Sequence, residues 1–260
     1  MPEGDTVWLA GHNLDRALAG AVLTRSDFRV PALATVDLVG HRVVGVIARG
    51  KHLLFRIEPD LTLHTHFRMD GSWHLYRPGR PWSGGPAHEI RVVLATSEWE
   101  AVGYRLPVID LLPTSDEANV VGHLGPDLLG PDLDIDEAVR RLLADPGRAI
   151  GEALLDQRNL AGIGNVYKAE VLFLSGLSPW RSVADVPRLG SVVGRARALL
   201  VANKARTGQV TTGDLRRGQE HWVYRRAGRP CRRCGTTIRE AEQGQPPHVR
   251  LTWWCPSCQP

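Results

Sequence analysis

Gly122-His-Leu-Gly-Pro-Asp-Leu-Leu-Gly-Pro-Asp132 separates two kinds of sequence. Its glycines and prolines deny it both helix and strand. Before it, apolar residues come in short runs broken by Gly, Pro and Asp; after it, they recur at intervals of three and four. The first pattern is that of strands and the second that of helices. Strands followed by helices predict an α+β protein of two domains, with a β-sandwich first.

Working back from that stretch, residues 6–18 form the one helical segment. Val7, Ala10, Leu14, Ala17 and Leu18 share a face, and Gly20 supplies a stop. Strands are expected at 22–28, 42–48, 52–57, 61–66, 72–76, 89–95 and about 101–112, with 78–86 as a loop rich in Pro and Gly.

Working forward, helices are expected at about 136–144, 149–157, 164–175 and 188–206. In Leu160-Ala-Gly-Ile-Gly-Asn-Val-Tyr-Lys-Ala-Glu170 the glycines turn straight into a helix. Unpaired N–H groups and the positive end of the helix dipole make such a start a seat for phosphate, to which Asn165 adds a donor. A dinucleotide site would need a preceding strand, and there is none. From Val186 onward fourteen Lys and Arg face four Asp and Glu, although the net charge of the chain is only +4. That imbalance suits a polyanion partner as well as it suits an arginine-rich solvated surface.

All four cysteines lie in this basic region: Cys231-x2-Cys234, twenty residues, then Cys255-x2-Cys258. The spacing is that of a four-thiolate zinc site. With no open coordination position, one zinc ion would be structural. A thioredoxin-like redox role lacks its βαβ setting. Residues 236–254 between the knuckles are expected to form a hairpin from which Arg250 projects, its guanidinium suited to phosphate. No cysteine remains for a disulfide elsewhere, which fits a reducing compartment. With 43% hydrophobic and 23% charged residues, no long apolar run and no leader pattern, the expectation is a cytoplasmic protein without a membrane partner.

The first residues carry chemistry of another kind. If Met1 is removed, Pro2 presents a secondary amine beside the carboxyl of Glu3. An α-amine titrates near ~8, against ~10.4 for lysine, so more of it is nucleophilic at neutral pH. Such an amine adds to a sugar aldehyde carbon and loses water to give an iminium, an electron sink for eliminations. Glu3 is within chain reach to serve as acid or base.

Pro2-Glu3-Gly4, Arg49-Gly50-Lys51-His52-Leu53-Leu54, the run from Leu160 to Glu170 and the four-cysteine terminus occur in this order. Together they resemble the bacterial DNA glycosylase/AP-lyase family that includes formamidopyrimidine-DNA glycosylase and endonuclease VIII, over essentially the whole chain. The resemblance implies a sandwich domain (1–120), a linker (121–134), a helix–two-turn–helix domain (135–225) and a zinc finger (226–260). It implies double-stranded damaged DNA as partner, with the damaged nucleotide flipped out so that C1′ can be reached. Pro2 would attack C1′, Glu3 would act as acid/base, and Lys51 would stabilise charge at the sugar-phosphate. β- and δ-elimination would then cut the strand. Asn165 and Arg250 match the family's clamp on flanking phosphates, and Glu170 matches a family acid of unassigned role. In His66-Phe67-Arg68-Met69-Asp70-Gly71, Met69 beside Arg68 matches the wedge that fills the gap left by the flipped base.

Within the family, Gly4 looks like endonuclease VIII, whose substrates are oxidised pyrimidines. The segment 211–224 is short for the lid of the purine branch, and no Arg-Arg-Phe-Gly stretch occurs near Arg105. The Met69 loop instead resembles the purine branch. The expectation is an oxidised-pyrimidine glycosylase, with an oxidised-purine enzyme, a non-catalytic binder of damaged DNA and a zinc-ribbon RNA-binding module as alternatives. A monomer is the default state.

Overall fold

The computed structural model describes residues 2–260. Met1, whose removal the chemistry expected of Pro2 requires, lies outside them. The chain divides into two compact units, residues 1–123 and 124–260.

The first unit opens with α1 (Gly4–Leu18) and continues through β1 (Arg25–Phe28), β2 (Val43–Arg49), β3 (His52–Ile57), β4 (Leu61–His66), β5 (Ser72–Tyr76), β6 (Ile90–Ala95), β7 (Glu100–Tyr104) and β8 (Val108–Pro113). Two antiparallel four-stranded sheets, β1-β6-β7-β5 and β2-β3-β4-β8, enclose the core. Leu53, Phe55 and Ile57 of β3 meet Val92 and Leu94 of β6 there, and α1 adds Val7, Leu14 and Leu18. Two-residue alternation explains which side chains point inward.

The strand expected at about 101–112 is two strands in different sheets. Arg105 takes a left-handed φ of 49° and Pro107 follows, so the ladder stops and the chain crosses to the other sheet. The strand expected from residue 22 begins at Arg25, with Val22 making only an isolated bridge to Arg42. The loop over 78–86 covers the outer face of β7: Trp82 packs near Tyr104, and its Nε1 donates to Glu100 Oε2 at 2.7 Å. A short helix, α2 (Ala118–Val121), closes the unit. Just ahead of it, Glu117 accepts two bonds from Arg56 at 2.9 Å and one from Thr62 at 2.8 Å.

The second unit contains α3 (Ile135–Leu143), α4 (Ile150–Leu155), α5 (Asn165–Ser175), α6 (Leu189–Asn203) and a hairpin of β9 (Arg239–Gln243) with β10 (Arg250–Trp254). Asp134 caps α3 by accepting from Glu137 N. Gly176, with φ 67°, ends α5 as only glycine does without strain. Helix α5 is the centre of this unit. Tyr167, Val171 and Leu172 pack against α4 and α6, while Val166, Ala169 and Phe173 pack against Val223, Tyr224, Ile238 and Trp253. A helix buried on both faces loses the usual polar stripe. No helix among the described residues is long and apolar enough to cross a membrane.

Candidate functional site

In the first unit the site residues gather at one end of the sandwich. Helix α1 lies along β2 in register: Gly20 N donates to Val43 O, Asp15 Oδ1 accepts from Val46 N, and Gly11 faces Ala48 and Leu53. A Cβ on Gly11 would lie 2.8 Å from Leu53 Cδ2, so any side chain there would have to push that methyl group aside. Continued toward its start, the helix carries Pro2 and Glu3 to the end where β2 turns into β3. Glu3 is wholly buried, and its carbonyl accepts from Val7 N as the first bond of the helix. Lys51 sits in the two-residue turn between Arg49 and His52, which are paired across the hairpin. Gly50 takes the positive φ (59°) that the first position of a type II′ turn demands, and this fixes where the lysine stem leaves the sheet.

Beside Lys51 is a cluster that the sequence reading missed. His52, His64 and His66 share the outer face of β3 and β4, and Asp110 joins them from β8. Asp110 Oδ2 accepts from His64 Nδ1 at 3.1 Å, so His64 Nε2 is the acceptor for His52 Nδ1–H at 2.8 Å. The ring of His66 stands edge-on to that of His52 at 4.6 Å. Burial, then His66, His64, His123 and Arg68, push the His52 pKa down to about 3. Burial, then Arg68, Lys51 and His64, push His66 down to about 4. Burial also lowers His64, against the pull of Asp110. Three neutral imidazoles therefore line the ground next to Lys51. The signal was available: a hairpin of 52–57 with 61–66 pairs 52 with 66 and 54 with 64, which puts all three rings on one face.

The loop between β4 and β5 presents Met69 to solvent at 60% exposure, whereas Phe67 is buried at 3%. Phe67 therefore belongs to the core. Arg68 takes a left-handed φ of 50°, and its N–H donates to His66 Nδ1 at 2.9 Å.

In the second unit the polar residues of α5 point into the protein. Asn165 Nδ2 donates to Leu251 O of β10 at 2.9 Å, so the amide expected to meet phosphate also holds the hairpin that carries Arg250. Lys168 is wholly buried and donates to Thr252 Oγ1 at 2.6 Å; Thr252 donates in turn to Gln243, whose Nε2 donates to Pro179 O. Glu170 is wholly buried too. It accepts from the backbone N–H groups of Trp222, Val223 and Tyr224 at 2.8–2.9 Å and from the hydroxyl of Thr211. This carboxylate organises the segment 211–224 from inside, a place far from any helix-surface role. Arg250, by contrast, is exposed at the start of β10.

The four cysteine sulfurs lie within 4.8 Å of one another, with Cys231 to Cys258 at 4.0 Å and Cys234 to Cys255 at 3.5 Å. A tetrahedron of sulfurs ~2.3 Å from zinc has edges of roughly 3.8 Å, so the set fits that ion. Arg233 N donates to Cys231 Sγ at 3.4 Å, as a knuckle amide does toward a thiolate.

Comparison with known proteins gives the same picture over the whole chain. The formamidopyrimidine-DNA glycosylase N-terminal domain matches residues 1–105, the formamidopyrimidine-DNA glycosylase H2TH domain matches 124–200, and a zinc finger found in FPG and IleRS matches 228–260. The probable endonuclease 8 2 of Streptomyces coelicolor is 60% identical over all of this chain and 94% of its own length. The DNA-(apurinic or apyrimidinic site) lyase Nei2 of Mycolicibacterium smegmatis is 45% identical over 100% and 99%. Endonuclease 8 of Escherichia coli is 32% identical over the full length of both. The fold matches that of the Lactococcus lactis Fpg bound to DNA containing an abasic site, with a TM-score of 0.81 at 22% identity over 99% of each chain. By these matches the chain belongs to the formamidopyrimidine-DNA glycosylase/endonuclease VIII family, on its endonuclease VIII branch.

Proposed function

We propose that this protein is a bifunctional DNA glycosylase/AP lyase of base excision repair, acting on oxidised pyrimidines in duplex DNA. The observation that carries the reading is the packing of α1 along β2, which directs Pro2 and Glu3 to the end of the sandwich that bears Lys51. With Met1 removed, the Pro2 nitrogen attacks C1′ of the flipped nucleotide. The C1′–N bond breaks and the base departs with a proton. Glu3 moves protons at the sugar, and ring opening leaves an iminium between Pro2 and C1′. Loss of the C2′ proton then expels the 3′ phosphate, and a second elimination expels the 5′ phosphate, leaving a one-nucleotide gap. Lys51 stabilises the negative charge at the sugar-phosphate.

In the second unit, Asn165 and Arg250 clamp phosphates flanking the lesion. Cys231, Cys234, Cys255 and Cys258 hold one structural zinc ion, which contributes folding free energy to the hairpin and takes no part in the chemistry. The functional domains follow the divisions at about 120, 134 and 225, and the protein acts as a monomer. An oxidised-purine glycosylase is the second reading, favoured by the single exposed methionine in the Phe67–Gly71 loop.

Borohydride trapping of the Met1-free protein tests the reading on matched duplexes containing an abasic site, thymine glycol or 8-oxoguanine. A trapped adduct at the abasic site is expected, with more adduct on thymine glycol than on 8-oxoguanine; the reverse ratio selects the purine reading. Tight binding without an adduct on any duplex would leave a damage-binding protein in place of an enzyme.

A further inference from the structure

The loop that displays Met69 is fastened from two sides. From within, Gly71 N donates to Phe67 O at 2.9 Å, and a Cβ on Gly71 would come within 2.7 Å of that oxygen and 3.1 Å of Leu106. From outside, Arg105 Nε donates to Asp70 O at 3.2 Å, while its Nη1 pairs with Glu89 and its own N–H donates to Glu89 O at 2.8 Å. Gly85 of the 78–86 loop walls this ion pair: a Cβ there would lie 2.8 Å from Arg105 Nη1 and 2.9 Å from Glu89 Oε2. Arg105 makes these contacts from a left-handed backbone (φ 49°), a conformation unfavourable for a side-chain-bearing residue and held here by the surroundings.

We propose that Arg105 is a positioning residue for the Met69 wedge: it ties the corner after β7 to the loop after β4, so that Met69 meets the DNA already in its working position. The inference rests on the reading of Met69 as the group that fills the space of the flipped base. Extruding a stacked base has a free-energy cost that a preorganised wedge helps to offset, whereas an abasic site has no base to extrude. Loss of the brace therefore slows base excision and spares strand cleavage at a ready-made abasic site. Ordering one loop residue on binding corresponds to a rate loss of roughly tenfold.

Arg105→Gly is the variant of choice, because glycine takes the positive φ without strain while the guanidinium is removed. Single-turnover rates are measured on duplexes carrying thymine glycol or an abasic site, for wild type, Arg105→Gly, Met69→Ala and the double variant. The expected result is a base-excision rate about tenfold lower in Arg105→Gly, abasic-site cleavage close to wild type, and a double variant no slower than Met69→Ala. Normal base excision in Arg105→Gly beside a slow Met69→Ala overturns the brace while keeping the wedge. Equal losses on both substrates overturn it as well, since they mark general damage to the sandwich. A Met69→Ala protein with wild-type rates fells the wedge reading and the brace with it.

Discussion

In the sandwich, Lys51 and Met69 ride on turns whose strands bury apolar side chains beneath them, and the imidazoles beside Lys51 are held neutral. In the second unit the corresponding support is polar. Asn165, Lys168 and Glu170 stand at spacings of three and two on α5, all buried, and each binds a different part of the zinc module or the loop leading to it. The difference follows from size of core. Two four-stranded sheets enclose enough apolar surface to hold their strands by packing, so that polar ties such as Arg105 are left to the loops, whereas a two-stranded hairpin does not. The hairpin therefore depends on directional bonds from its neighbour and on a metal.

Removal of the metal is the strongest way to break that dependence. Structural zinc supplies apparent binding free energies of roughly 10–16 kcal/mol in small domains. Chelation that strips the protein of zinc is expected to abolish amide-exchange protection in β9 and β10 and to impair DNA binding, while β3 and β4 keep theirs. A metal-free protein with full DNA affinity would contradict the division of labour.

Glu170→Ala attacks the same unit from the helix side. It leaves three backbone N–H groups without their acceptor, at a cost of ~1–3 kcal/mol for each one that water does not reach, while the Thr211 hydroxyl keeps Glu220 O at 3.2 Å. A loss of at least about 3 kcal/mol is expected in the second unit, read from exchange of the 211–224 segment and its thermal transition. A loss under about 1 kcal/mol would mean that water replaces the carboxylate and that the nest is not a support.

Acid should single out the first unit. The folded pKa values of His52, His64 and His66 lie below the unfolded value near 6.5, so the unfolded chain binds protons that the native state refuses. Stability is therefore unaffected above pH ~6.5 and falls as pH drops from there toward about 3, the folded value of His52. Amide-exchange stability of β3 and β4 at pH 7, 6 and 5 checks the slope, and His52→Gln should make it shallower by the share of one of the three histidines. A profile that is flat in wild type, or equally steep in the variant, would remove the cluster from the account.

Much of this was legible in the residues. Short apolar runs broken by Gly, Pro and Asp marked the sandwich strands, and the cysteine spacing marked a zinc set. What escaped depended on contacts across the chain. Pro107 inside 101–112 was the local sign of a break, but nothing local announced that Arg105 would turn left-handed and send β8 to the other sheet. Lys168 and Glu170 belong to types rarely found fully buried, and only the folding of 211–224 and β10 onto α5 puts them inside. The histidine array needed one step more than hairpin parity, because Asp110 arrives from a third strand.

The smallest expected effect sharpens the comparison most. Arg250 is exposed at the start of the strand that Asn165 and Lys168 hold from behind, through Leu251 O and Thr252 Oγ1. If the buried bonds exist to aim this one side chain, Arg250→Ala should remove a single phosphate contact and leave the fold unchanged. The slope of log affinity against log salt should then fall by ~0.9, with little change in thermal stability. Lys168→Met should give a similar change in slope together with a lower transition temperature, because it disturbs the same strand from inside the protein. An unchanged slope in Arg250→Ala would take that arginine out of the phosphate clamp. The polar core of α5 would then serve the stability of the zinc module alone.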